Sequence, residues 1–198
     1  MPHTTHLLYL HGFRSSPQSA KARQMAAAVA ERHPQAHWWC PQLPPSPRAA
    51  AELLSEGLRD WPHARMAVVG SSLGGFYASW VARQTGCRSV LINPAVDPAR
   101  DLARYIGEQT SYHDPDDHFF FRAEFIDELK AIAPTGITRP ERYWGLIAKG
   151  DEVLDWHEMH QRYQGTHLTL LEGSDHAVSD FAQHMPGLLN WLGLPAAA

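Results

Sequence analysis

The stretch Met66-Ala67-Val68-Val69-Gly70-Ser71-Ser72-Leu73-Gly74-Gly75 decides how the rest of the chain is read. A short apolar run ends in glycine, and a helical pattern opens near Gly74. Between them lies Gly-x-Ser-x-Gly, residues 70–74. Alone the pattern is weak, because a glycine-rich strand–helix turn without chemistry has the same letters. Between a strand and a helix it is the setting of a nucleophile elbow. That turn is so tight that the residues two before and two after the serine approach each other closely. A Cβ at either place would clash, and glycine has none. Ser72 would then be strained, with its Oγ projecting beyond the carboxyl edge of a sheet.

Working outward, short apolar runs over 7–10, 37–40, 66–69, 89–92, 143–148 and 167–171 read as strands. Helical patterns over 19–32, 48–60, 74–83, 155–163 and 178–191 separate them, with Ser19 placed to cap the first. Strands apolar nearly throughout and flanked by helices suit a parallel sheet covered on both faces. About six of them make a doubly wound, mostly parallel α/β sheet. Pro41, Pro44, Pro45 and Pro47 mark a loop, not a linker. Trp38-Trp39 falls within a strand and reads as core. Residues 97–134 are polar, aromatic and acidic and show no clear core strand. They are expected to form a cap-like insertion within a single domain spanning 1–198.

A serine hydroxyl needs an adjacent base to act as a nucleophile near neutral pH. In an elbow architecture the partners follow in the order Ser, Asp, His. Lys149-Gly150-Asp151-Glu152 comes directly after the 143–148 strand, and Gly173-Ser174-Asp175-His176 directly after the 167–171 strand. Open α/β sheets gather functional groups at the carboxyl ends of their strands. Ser72 is therefore the candidate nucleophile, His176 the base and Asp151 the acid that orients it. Asp97 competes for the acid role because it follows the 89–92 strand. Asp155 and Asp175 lie near, and Asp175 is discounted because adjacent side chains in an extended loop diverge.

Acyl transfer also needs donors for a developing oxyanion. The backbone N–H of Leu73, next after the candidate nucleophile, is one. The second is expected from Leu10-His11-Gly12-Phe13, at the N–H of Phe13. His11 precedes Ser72, breaks the expected order, and is assigned to bracing that loop.

Composition excludes several other classes. The chain has 198 residues, 44% hydrophobic and 19% charged, enough for a packed core. Its net charge is 17 − 21 = −4, which argues against a nucleic-acid partner bound through phosphates. No apolar run nears the roughly 20 residues that cross a bilayer, and residues 1–10 carry no export pattern. Cys40 and Cys87 form no Cys-x-x-Cys, so neither a disulfide framework nor a zinc site is expected, and a cytoplasmic location is. His113, Asp114, Asp116, Asp117 and His118 match no standard ligand spacing, and no metal is expected there. Phe119-Phe120-Phe121 and Phe125 have two open readings. They pack the insertion onto the domain, or they line an acyl pocket.

The order Ser, Asp, His and the His-Gly loop resemble the α/β-hydrolase superfamily. Several blocks resemble, more narrowly, the small bacterial YqiA-like esterases. They are Tyr9-Leu10-His11-Gly12-Phe13, Ser15-Ser16-Pro17, Ser19-Ala20-Lys21-Ala22, Gly70 to Ala78, Asn93-Pro94-Ala95, Gly150 to Asp155 and Gly173 to His176. Asp155 stands where many relatives have proline. The resemblance implies a cofactor-free cytoplasmic serine esterase acting on small-molecule carboxylic esters, or on acyl thioesters such as acyl-CoA. It carries the nucleophile to Ser72, the acid to Asp151 and the base to His176. A non-catalytic binding protein on the same fold is the alternative of another class.

Overall fold

The computed structural model describes residues 3–195. Residues 1–2 and 196–198, the ends of the expected 1–198 domain, lie outside the described residues. The strands are β1 (His6–Leu10), β2 (His37–Trp39), β3 (Met66–Ser71), β4 (Arg88–Ile92), β5 (Gly107–Thr110), β6 (His118–Phe121), β7 (Tyr143–Ala148) and β8 (His167–Leu171). The α-helices are α1 (Ala20–Arg32), α2 (Pro47–Gly57), α3 (Leu73–Thr85), α4 (Pro98–Leu102), α5 (Glu124–Ile132), α6 (Trp156–Arg162) and α7 (Phe181–Trp191).

Six strands form one sheet in the order β2-β1-β3-β4-β7-β8, and every pairing in it is parallel. Side chains alternate across a strand, so each central strand feeds two cores. Leu8, Leu10, Val68 and Leu91 face one side, against Ala50 and Leu54 of α2, Phe76 and Val81 of α3, and Phe125 and Leu129 of α5. Leu7, Tyr9, Val69, Val90 and Ile92 face the other, against Met25 and Val29 of α1 and Leu188 and Leu189 of α7. Each such side chain taken from water contributes about 1.5–3 kcal/mol. Burial on both faces is why these strands read as unbroken apolar runs. Among the described residues no helix is long and apolar enough to cross a membrane.

The chain leaves β1 in one direction to form β2, then returns to lay β3 on the other side of β1. The connection leaving β1 runs toward β2 and the one leaving β3 runs the opposite way toward β4, so they diverge above the carboxyl ends of β1 and β3. Doubly wound sheets bind ligands in the crevice that such a reversal opens. The Gly12 loop and Ser72 stand there.

Trp38 and Trp39 are corrected from core to half-buried, because β2 is an edge strand. Trp38 leans on Tyr9, and Trp39 covers Gly57, where an added Cβ would meet its ring at 2.1 Å. Residues 97–134 hold more order than their composition suggests. After α4 they form an antiparallel hairpin, β5 with β6, and then α5. Neither hairpin strand joins the main sheet, as expected of a segment without a core strand. The last helix begins at Phe181 instead of near 178, because Val178 sits at φ 49° and closes a turn onto Asp175.

Candidate active site

Ser72 lies between β3 and α3 with φ 57° and ψ −122°, a region few L-residues enter. The two flanking glycines make this turn possible. A Cβ on Gly70 would fall 2.0 Å from the carbonyl oxygen of Gly74, and one on Gly74 would fall 2.0 Å from that of Leu10. Both obstacles are backbone, so no side-chain adjustment relieves them. The Ser72 N–H donates to the Ile92 carbonyl, and its own carbonyl accepts from Ala95 N–H. The strained residue is thus tied to the end of β4.

His176 Nε2 lies 3.1 Å from Ser72 Oγ, and His176 Nδ1 lies 2.7 Å from Asp151 Oδ2. These three residues follow β3, β8 and β7, and the parallel sheet brings their loops to one edge. The Asp151 carboxylate is fully buried. Its second oxygen, Oδ1, accepts the N–H groups of Val153 and Leu154, each at 2.8 Å. A buried carboxylate with its oxygens bonded in this way has little freedom to turn. The rival carboxylates are engaged elsewhere. Asp97 accepts the Arg100 N–H and caps α4. Asp155 caps α6 through His157 N–H. Asp175 accepts the N–H and hydroxyl of Ser179.

The loop after β1 approaches from the other side. A Cβ on Gly12 would sit 3.3 Å from that of Ser72, so a larger residue would press on the serine. Among the described residues no protein acceptor takes the N–H of Phe13 or of Leu73, and Leu73 opens α3, where helix N–H groups lack partners. His11 braces this loop. It is buried, its Nε2 accepts the Leu43 N–H at 3.0 Å, and its Nδ1 donates to the Gly12 carbonyl. Burial holds its pKa below the ordinary 6.5, with the Gly12 bond opposing and His113 adding. A lowered folded value means that acid favours the unfolded chain. The stability is fully present above about pH 6.5 and is lost as pH falls through the lowered value. His11→Gln, which retains an acceptor for Leu43, is expected to flatten the fall of melting temperature between pH 7.5 and 5. His6 and His33, also pushed down by burial, leave part of the fall in place. An unchanged slope would contradict the assignment to His11.

A cavity of about 280 Å³ opens beside Ser72 and His176, with Leu73, Leu102, Tyr105, Val153 and Leu154 on its walls. Segment 97–134 supplies Leu102 and Tyr105. A second cavity, of about 270 Å³, lies behind the Gly12 loop, and Phe13, Leu73 and Leu102 line both. The Phe13 ring packs on Tyr105, Phe119 and Phe121 at 5.2–5.9 Å between centroids. The packing reading of the phenylalanine cluster holds for Phe121 and Phe125, and none of the four lines the cavity beside Ser72 and His176. Phe121 and Phe125 pack in the core, Phe119 and Phe121 line the second cavity, and Phe120 is exposed. His113 and His118 make single contacts to Ser15 and Thr110 on the exposed side of the same segment.

Three residues absent from the sequence-based site hold it together. Asn93, read as a strand stop, reaches the His176 loop. Glu152 accepts the His176 N–H at 3.0 Å. Lys21 donates to the Ala177 carbonyl at 2.5 Å. Burial lowers the Lys21 pKa, while Asp175 and Asp151 oppose that shift.

The architecture is that of the α/β hydrolases. Alpha/beta hydrolase domain-containing protein 10 from mouse superposes with a TM-score of 0.69 at 17% identity, covering 97% of this chain and 92% of that one. Est1E from Butyrivibrio proteoclasticus gives 0.64 at 11% identity, over 97% and 90%. Naproxen esterase (carboxylesterase NP) from Bacillus subtilis gives 0.60 at 11%, over 95% and 83%. At such identities these likenesses speak for the fold alone. The chain belongs to the uncharacterised protein family UPF0227, whose model matches residues 6–193, in keeping with the YqiA-like resemblance in its sequence blocks.

Proposed function

We propose that this protein is a serine hydrolase that cleaves small-molecule carboxylic esters through an acyl-serine intermediate. The observation that carries the reading is the continuous chain from Ser72 Oγ through His176 to the buried Asp151 carboxylate, at 3.1 Å and 2.7 Å, on the wall of a largely apolar cavity.

In this reaction Ser72 Oγ attacks the acyl carbon while its proton passes to His176 Nε2. The carbonyl electrons move onto oxygen, which accepts the N–H groups of Phe13 and Leu73. Asp151 holds the Nδ1–H tautomer and offsets the charge of the imidazolium. The tetrahedral species collapses, His176 protonates the departing oxygen, and an alcohol leaves. Water then gives a proton to His176 and attacks the acyl-serine. Its collapse releases a carboxylic acid and returns the proton to Ser72. The scheme calls on no cofactor. Residues 97–134 act as a small cap over the acyl group, within one domain.

An active-site probe tests the reading. A fluorophosphonate is expected to label Ser72 covalently in the folded protein, because phosphonylation needs the same activated hydroxyl and the same donors. No labelling of Ser72 would turn the balance to a non-catalytic binding protein. A series of p-nitrophenyl esters and acyl-CoA thioesters of graded chain length then separates an esterase from a thioesterase on the same residues.

A further inference from the structure

Asn93 is fully buried at the end of β4, in the left-handed region at φ 41°. Its side chain makes three hydrogen bonds, to the His176 loop and to the end of β7. Nδ2 donates to the carbonyls of Asp175 and His176, each at 3.0 Å. Oδ1 accepts the Ala148 N–H at 2.8 Å. Its own N–H donates to the Leu146 carbonyl. Ala148 is the last residue of β7, and its carbonyl accepts the Asp151 N–H, closing the turn that presents the carboxylate.

The His176 loop has little backbone bonding of its own here. Among the described residues no backbone N–H reaches the carbonyl of His176 or Ala177. Asn93 from β4 and Lys21 from α1 supply donors to those two carbonyls. The loops also pass very close, since a Cβ on Gly150 would fall 2.5 Å from the Ser174 carbonyl. One carboxamide therefore spans the base-bearing loop and the strand end from which the acid turn springs.

We propose that Asn93 is a positioning residue: its carboxamide fixes the His176 loop against the Asp151 turn, and so holds His176 Nε2 at Ser72 Oγ. This rests on the roles proposed above for Ser72, Asp151 and His176. Asn93 touches no reacting atom. It acts through the placement of two groups that do, and small misplacements at a reacting centre are expensive.

The test is Asn93→Gly. Glycine adopts φ 41° freely, so the variant removes the carboxamide without straining the backbone. Steady-state turnover of p-nitrophenyl butyrate and the rate of fluorophosphonate labelling are measured where circular dichroism shows the variant folded. The expected result is a fall of about 10- to 100-fold in kcat and in labelling rate, with KM changed less than about twofold. The downfield Nδ1–H proton resonance of His176, which needs no substrate, is expected to broaden. A folded variant with kcat and labelling within about twofold of the parent would overturn the proposal, as would a loss confined to KM. If Asn93→Gly does not fold, Asn93→Asp carries the same measurements. It keeps the acceptor for Ala148 but sets an oxygen against two carbonyls. Failure of both to fold would make Asn93 a folding residue and end the proposal. Labelling of the parent with no effect in the variant overturns the role of Asn93 alone, whereas an unlabelled parent overturns the catalytic reading beneath it.

Discussion

Ser72→Ala is expected to lower kcat for ester turnover by about six orders of magnitude. The loss is so large because, in the proposed mechanism, the hydroxyl bonds to the acyl carbon, and among the described residues no other side-chain hydroxyl is hydrogen-bonded to His176 Nε2. Stability should hardly move, since alanine takes the same φ 57° backbone at a similar cost. Ser72→Gly separates the two properties. It removes the hydroxyl and also the left-handed strain, which costs about 1–3 kcal/mol for a residue with a Cβ. Its melting temperature is expected to exceed that of Ser72→Ala by a few degrees, at about 2–4 °C per kcal/mol for a chain of this size. Scanning calorimetry and a chromogenic ester check both halves. Turnover surviving in Ser72→Ala would remove Ser72 as nucleophile. Equal stabilities of the two variants would show that the elbow stores no strain at this residue.

Asp151→Asn is expected to lower kcat by about four orders of magnitude while the fold persists. The amide can keep an oxygen toward the N–H groups of Val153 and Leu154. It then presents an NH₂ to His176 Nδ1, which must become an acceptor. The ring proton moves to Nε2, and the base faces Ser72 already occupied. Asp97→Asn is the comparison that gives this result meaning. Asp97 caps α4 through Arg100 N–H, so its change should leave kcat near that of the parent. If the two variants exchange these outcomes, the acid belongs to Asp97.

Much of this molecule could be read from its letters because the core strands are apolar on both faces. Leu7 to Leu10 and Met66 to Val69 each feed two cores, so neither shows a polar alternation that could be mistaken for a loop. Ser72, Asp151 and His176 could be grouped for a related reason. Each directly follows such a strand, and a parallel sheet sends all those ends to one edge. The hairpin of β5 and β6 was not legible, because its strands are short, pair only with each other, and lie among acidic residues. Trp38 and Trp39 misled because strand composition does not say whether a strand is central or at the edge. Asn93 was hidden for a deeper reason. Its partners are backbone groups, which residues of every type carry, so nothing in the letters at 148, 175 or 176 announces a bond to residue 93. An Asn-Pro at a strand end was its one visible sign.

The position of Phe13 divides labour within a single residue. Its main-chain amide is the group that would face the oxyanion, whereas its side chain lines both chambers, together with Leu73 and Leu102. The amide is present whatever the side chain. Under the proposed reaction, variation at this residue would change the chambers open to an acyl group and leave the main-chain donor in place. Substrate range and chemical competence are free to drift apart at one codon.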